Sequence, residues 1–219
     1  MNKKRNLIIS IILTVISIVY TYLVKTIDVK KIGPNDSAVG FSKLNGWFRD
    51  LIGSNMTIYK ITEVLGLIVI LIVAYYGLIG LIQLIKRKNI FKVDKELYIL
   101  GGFYVMMAIT YIFFEKFIIN YRPVLIDGEL EASYPSSHTI LALCICISSL
   151  IISRKYINSK YLKLTDIITI ILLLGVLLGR IISGVHWISD IIGGLIISST
   201  LLMYFYTFIG RIKLKRRRH

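Results

Sequence analysis

Six long apolar stretches alternate with polar, mostly basic segments along the chain. The apolar stretches cover approximately residues 7–24, 61–85, 97–119, 136–153, 164–183 and 187–210. Each has about the length at which an α-helix crosses a hydrocarbon core of ~30 Å. The pattern therefore predicts an all-α fold, with residues 1–219 forming a single integral membrane domain of six transmembrane helices. Because the first stretch is long and lacks a cleavage site of small residues, we interpret it as a retained span and not as a signal peptide.

The composition agrees with a membrane protein and changes how the charge is interpreted. Hydrophobic residues make up 56% of the chain, and the mean hydropathy of +0.73 is well above that of a soluble domain. In a soluble protein, the net charge of +15 would suggest nucleic-acid binding. No aromatic and basic RNA-binding motif and no zinc-ligand spacing accompanies the charge, so we expect no nucleic-acid partner.

The basic residues are concentrated in four segments that six spans place on one side of the membrane. Lys and Arg number three before the first span, five in residues 86–96, four in residues 154–163 and six in residues 211–219, which is 18 of the chain's 27. By the positive-inside rule this side is cytoplasmic, and it holds both termini. We therefore expect a multi-pass protein of the cell membrane whose basic tail contacts anionic lipid.

The polar stretch from Lys25 to Lys60 is open to two interpretations. Its apolar residues recur at roughly helical spacing, which is typical of an amphipathic segment that lies at the membrane interface. A plain folded loop is the alternative. The stretch is too short and too charged to span the membrane.

The segment between the fifth and sixth spans carries a distinctive group of polar residues. Arg180 lies six residues before His186, and Asp190 lies four residues after it. Because residues i and i+4 share one face of a helix, Asp190 can hold one ring nitrogen of His186 and leave the other free. Arg180 supplies a planar cation that suits phosphate. The group is typical of a histidine nucleophile acting on a phosphoryl group, although a His–Asp pair one turn apart also occurs as a purely structural pair.

A second group, Pro135-Ser-Ser-His138, opens the fourth span. Proline and serine favour the start of a helix, and the N–H groups of a first helical turn form an anion site. We therefore expect Ser136 and Ser137 to lie at an anion site, where His138 could protonate a leaving oxygen. A helix cap with an incidental histidine is the alternative.

A third group, Lys116 with Arg122-Pro123, lies near the end of the third span. Two cations near a helix end can hold two phosphate oxygens. Long basic side chains at span ends also extend to the interface without belonging to any site. In the predicted topology all three groups collect on the side opposite the basic segments, which is the extracytoplasmic side.

In chain order the three groups are Lys116 with Arg122-Pro123, then Pro135-Ser-Ser-His138, then Arg180 with His186 and Asp190. In this order they resemble the first, second and third motifs of the type 2 phosphatidic acid phosphatase family, in its bacterial six-span branch. The resemblance covers roughly residues 97–197. It is most specific in the third motif, whose spacing, Arg180-x5-His186-x3-Asp190, matches throughout.

Three positions depart from the family pattern. Gly179 replaces a serine, and Ser137 replaces a glycine. Five residues, where the family usually has six, separate Lys116 from Arg122, so that Glu115 stands at the family's lysine position. Lys116 therefore reaches a bound phosphate only if the helix end has some slack.

The resemblance implies a role for each matching residue. His186 would be the nucleophile and form a phosphohistidine, Asp190 would orient it, and His138 would protonate the leaving group and then activate water. The phosphoryl oxygens would be bound by Arg122, Arg180, Lys116 and the N–H groups near Ser136 and Ser137. No metal or other cofactor is implied, because the arginines supply the charge stabilisation.

The residues and the resemblance favour one reaction, the hydrolysis of a phosphorylated lipid at the outer membrane face. The expected partner is a lipid such as phosphatidate, phosphatidylglycerophosphate or undecaprenyl diphosphate; monophosphate or diphosphate preference and oligomeric state stay open at this point. A non-catalytic family member that binds or transports a phosphorylated lipid is the alternative, because the first two motifs depart from the pattern. A small transporter or channel is disfavoured, since the strong charges lie at helix ends and not at mid-span.

Overall fold

The computed structural model describes residues 3–210 and contains seven α-helices within them. The helices are α1 (Lys3–Thr26), α2 (Ser42–Ile52), α3 (Met56–Arg87), α4 (Lys95–Lys116), α5 (Ser137–Tyr156), α6 (Ser159–Ser183) and α7 (Ile188–Ile209). Two short antiparallel strands, β1 (Lys30–Lys31) and β2 (Ala38–Val39), precede α2. The basic tail over 211–219, with its expected contact to anionic lipid, lies outside the described residues.

Six of these helices, all except α2, are long and apolar enough to cross a membrane. The predicted all-α bundle of six transmembrane helices is thus confirmed. Most boundaries differ from the sequence prediction by one to five residues. The largest differences are at α3, which begins at Met56 and not at residue 61, and at α6, which begins at Ser159 and not at residue 164; α4 ends at Lys116 and not at residue 119. The early start of α3 places Tyr59 and Glu63 on its first two turns.

Helices α5 and α7 form the centre of the bundle. In their most apolar 18-residue windows, 56% and 50% of the residues are buried, compared with 11–17% in the other four spans. Helix α1 packs against α7, and α6 packs against both α3 and α5. A span covered by its neighbours can carry polar side chains that would be costly on a lipid-facing helix. The centre of the bundle is therefore where functional polar residues are expected.

The N-terminal ends of α5 and α7 lie in close contact. The Ser136 N–H donates to the Asp190 carbonyl across this contact (3.1 Å). A Cβ atom at Gly193 would lie 2.4 Å from the Tyr134 ring, so glycine is needed for this close approach. The first turns of the two helices, which carry His138 and Asp190, are therefore held side by side.

The turn between α6 and α7 packs on the segment that precedes α3. Gly184 ends α6 with a φ of +62°, in the left-handed region that favours glycine. A Cβ atom there would lie 1.9 Å from the Gly53 carbonyl oxygen. The Asn55 N–H donates to the Ser183 carbonyl (2.9 Å). These contacts fix the turn that carries His186.

The stretch from 25 to 60 folds as the β1–β2 hairpin followed by α2, and not as a plain loop. Helix α2 is amphipathic, with Trp47 and Leu51 exposed (62% and 66%) and Asn45 buried. The Asn45 side-chain oxygen accepts from the Ser189 N–H (3.1 Å), which satisfies a free donor on the first turn of α7. Helix α2 thus supports α7 and leaves an apolar surface exposed, as a helix at the membrane interface does.

An ionic cluster ties three helices together at the opposite end of the bundle. Lys155 of α5 lies 2.7 Å from Glu96 and 3.2 Å from Asp94, at the start of α4. Asp94 also lies 3.0 Å from Arg87, at the end of α3. The basic connectors lie at this end, while the three predicted motifs all lie at the other.

Candidate active site

The turn between α6 and α7 brings Arg180, His186 and Asp190 into one buried region. Arg180, on the last turn of α6, is 0% exposed, and His186 in the turn is 4% exposed. Asp190, on the first turn of α7, is also fully buried. Burial of charged groups is costly unless partners compensate for it. The partners of each side chain therefore define what this region can do.

His186 has a hydrogen-bond partner for one ring nitrogen and none for the other. Its Nδ1 atom lies 3.1 Å from the Ser133 carbonyl oxygen, and because a carbonyl only accepts, Nδ1 carries the proton. Its Nε2 atom is buried and has no hydrogen-bond partner within residues 3–210. Burial, and then the positive charges of Arg122 and Arg180, hold the pKa of His186 well below its usual value. The ring is therefore neutral at physiological pH, with a free lone pair on Nε2, as a nucleophile requires.

Asp190 is connected to His186 through Ser133. Its Oδ2 atom lies 3.9 Å from His186 Nδ1, beyond hydrogen-bonding distance. The carboxylate accepts hydrogen bonds from the Ser133 hydroxyl, from the Trp187 N–H (2.9 Å) and from the Asn120 amide (3.3 Å). The structure thus differs from the expectation that Asp190 holds the imidazole directly. Ser133 stands between them, with its carbonyl on the ring and its hydroxyl on the carboxylate.

His138 and Arg180 converge on Glu63, a carboxylate that the sequence analysis does not select. The Oε1 atom of Glu63, on the second turn of α3, lies 3.5 Å from His138 Nε2 and contacts Arg180 Nη2. A Cβ atom at Gly66 would lie 2.8 Å from the His138 ring, so glycine there leaves room for the imidazole. The signal that could have identified Glu63 is an ionisable residue inside the apolar stretch 61–85.

Arg122 and Arg180 both contact the ring of Tyr59. Their guanidinium carbons lie 6.0 and 5.1 Å from the ring centroid, within cation–π distance. Arg122 Nε lies 3.0 Å from Glu131, and Arg180 Nη2 contacts Glu63. Arg122 Nη1 and Arg180 Nε and Nη1 are buried without a hydrogen-bond partner among the described residues. Each arginine is thus held by a carboxylate and an aromatic ring, and keeps N–H donors for a further anion.

A cavity of about 390 Å³ opens beside these residues, between α3, α4 and the start of α5. Its polar lining includes Glu63, Glu115, Arg122, Ser133, Ser137, His138 and His186. Its apolar lining includes Leu67, Ile70, Met107, Ala108 and Phe114. Arg180 does not line this cavity, but it contacts Glu63 in the cavity wall. The combination suits a ligand with an anionic head and a hydrocarbon chain.

The remaining predicted phosphate-binding residues have different positions relative to this cavity. Ser137 lines it. Ser136 is fully buried and directs its N–H to the Asp190 carbonyl, so it supports the junction of two helices and does not line the cavity. Lys116 is exposed and does not line the cavity either, whereas Glu115 does. The structure therefore brings Ser137 to the site and leaves Lys116 outside it.

The groups around the cavity can bind and attack a phosphoryl group. The Ser136 side chain does not cap α5, so the N–H groups of its first turn remain available to an anion. His186 supplies a lone pair, His138 a second imidazole, and the arginines supply positive charge. Within the described part of the chain, no group of three or more His, Cys, Asp or Glu side chains is placed to hold a metal ion.

Comparisons with known proteins point to one family. The family model of the PAP2 superfamily matches residues 99–213, more than half of the chain. The fold is similar to the crystal structure of a transmembrane PAP2 type phosphatidylglycerolphosphate phosphatase from Bacillus subtilis, with a TM-score of 0.56 and 18% identity over 95% of this chain and 98% of that chain. A comparison with curated proteins gives no match. The family match includes every predicted site residue, whereas Tyr59 and Glu63 lie outside it.

Proposed function

The chain belongs to the PAP2 superfamily, and we propose that this membrane phosphatase hydrolyses a phosphorylated lipid through a phosphohistidine at His186, without a metal ion. The observation that carries the proposal is the state of His186 Nε2, a buried nitrogen with no hydrogen-bond partner within the described residues. His186 lines a cavity that Arg122 and His138 also line. A buried polar atom without a partner is costly, so its presence favours a site that a ligand completes.

In the first step, the lone pair of His186 Nε2 attacks the phosphorus, and the bond between phosphorus and the leaving oxygen breaks. His138 donates a proton to that oxygen as it departs. The Ser133 carbonyl keeps the single N–H proton of the His186 ring on Nδ1, so that Nε2 is the reactive atom. The free N–H group of Arg122 binds the phosphoryl oxygens as negative charge moves onto them, and Arg180, which contacts Glu63 in the cavity wall, adds its positive charge.

In the second step, a water molecule attacks the phosphorus of the phosphohistidine. His138, now neutral, accepts a proton from this water, the bond between Nε2 and phosphorus breaks, and orthophosphate leaves. The Asp190 carboxylate, 3.9 Å from His186 Nδ1, stabilises the positive charge that the ring carries between the two steps. The covalent route divides one difficult displacement into two easier ones.

The hydrocarbon chain of the substrate fits between α3 and α4. Much of the apolar lining of the active-site cavity comes from these two helices, and Ile140 and Leu141 of α5 add to it. A second, separate apolar cavity of about 510 Å³ lies between the same two helices nearer the basic end of the bundle, with Val73, Leu97 and Leu100 in its lining. Lipid tails are excluded from water by such surfaces, so the headgroup reaches His186 while the tail stays at membrane depth.

The position of the site in the bundle supports a reaction at the outer membrane face. His138, His186 and Arg122 lie at the end of the bundle where α5 and α7 begin, and the basic connectors lie at the other end. The positive-inside rule assigns the basic end to the cytoplasm. The phosphate of the substrate would then be in the extracytoplasmic leaflet.

Purified protein in detergent is expected to release orthophosphate from a short-chain phosphatidate at the same rate with and without excess EDTA. The reason is that the protein's own arginines and imidazoles supply the charge stabilisation. Rates are measured with EDTA and with added Mg²⁺, and a His186→Asn preparation provides the blank for contaminating phosphatases. Activity that disappears in EDTA and returns with Mg²⁺ would contradict the proposal. Lipid binding without any phosphate release would favour the non-catalytic alternative.

Lys116→Ala is expected to change kcat/KM by less than about twofold, because Lys116 is exposed and lies outside the cavity. Arg122→Ala should instead reduce kcat/KM by about 10²-fold or more, because it removes a buried donor to the phosphoryl group. The two variants are compared on one substrate under identical conditions. A large loss in Lys116→Ala would show that this lysine binds the phosphate after all.

A further inference from the structure

We propose that Glu63 restricts this site to phosphate monoesters, so that the substrate is a lipid monophosphate whose leaving group is a neutral alcohol. The inference rests on the proposed phosphatase function and concerns its substrate class. Its basis is the position of the carboxylate: Oε1 lies 3.5 Å from His138 Nε2 and contacts Arg180 Nη2. Glu63 and His186 line the same cavity.

Glu63 lies close to the path of the leaving group. The leaving oxygen must come within hydrogen-bonding distance of an imidazole nitrogen of His138 to receive its proton. Glu63 lies beside one nitrogen of that ring. The leaving oxygen is therefore separated from the carboxylate by no more than one imidazole ring and the polar contact on each side of it. Any charge carried by the departing group is felt by Glu63.

This carboxylate affects the two substrate classes in opposite directions. The alkoxide of a monoester is a poor leaving group and must receive a full proton as it departs. A carboxylate next to His138 favours the protonated imidazole that supplies this proton. A lipid diphosphate releases a lipid phosphate, which needs less protonation and carries its own negative charge. Glu63 repels that charge in a site of low effective dielectric constant. The site thus favours the monoester.

The other charges at the cavity act in the same direction. Of the described residues that line the cavity, Arg122 is the only Lys or Arg, and it already lies 3.0 Å from Glu131. Glu115 lines the cavity at the position where the sequence motif of the family leads one to expect a lysine. Arg180 offers two free N–H positions but is paired with Glu63. The site can neutralise one phosphoryl group and has little positive charge left for a second.

Geranylgeranyl monophosphate and geranylgeranyl diphosphate test this inference, because they share one tail and differ by one phosphate. Initial rates of orthophosphate release are measured with the full-length protein in detergent. The wild type is expected to have the higher kcat/KM on the monophosphate. Glu63→Gln should shift the ratio of the two kcat/KM values towards the diphosphate by at least about tenfold. Glu63→Asp, which keeps the charge, and Glu129→Gln, an exposed glutamate outside the cavity, should retain the wild-type ratio.

The outcomes separate this inference from the proposed function. Hydrolysis of neither substrate by the wild type would overturn the proposed function. Hydrolysis of both with a diphosphate preference, or an unchanged ratio in Glu63→Gln, would overturn only the role of Glu63. If Glu63→Gln were inactive on both substrates, the Tm increases given by orthophosphate and pyrophosphate would provide the comparison. The Tm increase given by pyrophosphate, relative to that given by orthophosphate, should be larger in Glu63→Gln than in the wild type. An unchanged relation between the two Tm increases would overturn the inference.

Discussion

A His186→Asn variant is expected to lose at least on the order of 10⁴-fold in kcat on any phosphorylated lipid that the wild type hydrolyses. Asparagine is polar, and its amide N–H can donate to the Ser133 carbonyl, which accepts from His186 Nδ1 in the wild type. The buried surroundings thus keep a hydrogen-bonded side chain. What disappears is the Nε2 lone pair, so no covalent intermediate can form. Binding and charge stabilisation alone would account for the remaining rate.

Two controls make this result specific. His219→Asn removes a histidine from the tail, outside the described residues, and should leave kcat unchanged. A similar Tm for wild type and His186→Asn would show that the variant is folded. Rapid quenching under alkaline conditions, in which phosphohistidine is stable, should trap a labelled phosphoryl group on the wild type and none on His186→Asn. A variant that retained more than about a tenth of the wild-type kcat would exclude His186 as the nucleophile.

The six spans could be predicted because membrane solvation acts on each helix separately. A lipid-facing helix needs a continuous apolar stretch, and this requirement appears directly in the sequence. The packing order of the helices has no such local signal. That α5 and α7 are central follows from which polar positions must be covered, such as Ser148 in α5 and Ser198 in α7, both fully buried. Such residues are recognisable only once their neighbours are known.

The site residues predicted from the motifs and then found around the cavity share a local signal. His138, His186 and Arg122 lie at the ends of apolar stretches, where a polar side chain stands out against its neighbours. Arg180 has the same signal, although it does not line the cavity and contacts Glu63 in the cavity wall. The roles of these residues are implied by the family resemblance and stay predictions.

The partners of these residues come from distant parts of the chain and lack such a signal. Ser133 and Asn120 belong to the loop between α4 and α5, and only the fold shows that both donate to Asp190. Tyr59 is one of 14 tyrosines, and its contact with two arginines arises from the early start of α3. Glu63 does carry a signal, but its partners lie 75 or more positions away in sequence.

The position of Lys116 illustrates how a shift of one residue changes a site. Successive helical residues are rotated by about 100°, so Glu115 and Lys116 point in different directions at the end of α4. The structure places Glu115 on the cavity and Lys116 outside it. A carboxylate therefore occupies the place where the family pattern has a cation. In the substrate selection proposed above, this carboxylate adds to the negative charge that disfavours a second phosphate.

His138→Gln is expected to lose activity to a degree that depends on the leaving group. On a lipid phosphate, whose alkoxide must be protonated, kcat/KM should fall by about 10²- to 10⁴-fold. On p-nitrophenyl phosphate, whose leaving group departs without a proton, formation of the phosphohistidine should fall by about tenfold or less. The second step still needs His138 to activate water. The intermediate should therefore accumulate, and p-nitrophenolate should appear as a burst close to one equivalent, followed by slow turnover.

Ser137→Ala is the matched control for this experiment, because it changes the neighbouring residue on the same cavity and keeps the backbone N–H that would bind the phosphate. It should affect both substrates equally and give no burst. If His138→Gln lost kcat/KM equally on the two substrates and gave no burst, His138 would have a role in binding or packing. It would then not be the residue that protonates the leaving group. A loss that depends on the leaving group, together with trapped phosphohistidine, would place the two imidazoles on opposite sides of one phosphoryl transfer. His186 would bind the phosphorus, and His138 would first protonate the departing oxygen and then accept a proton from the incoming water.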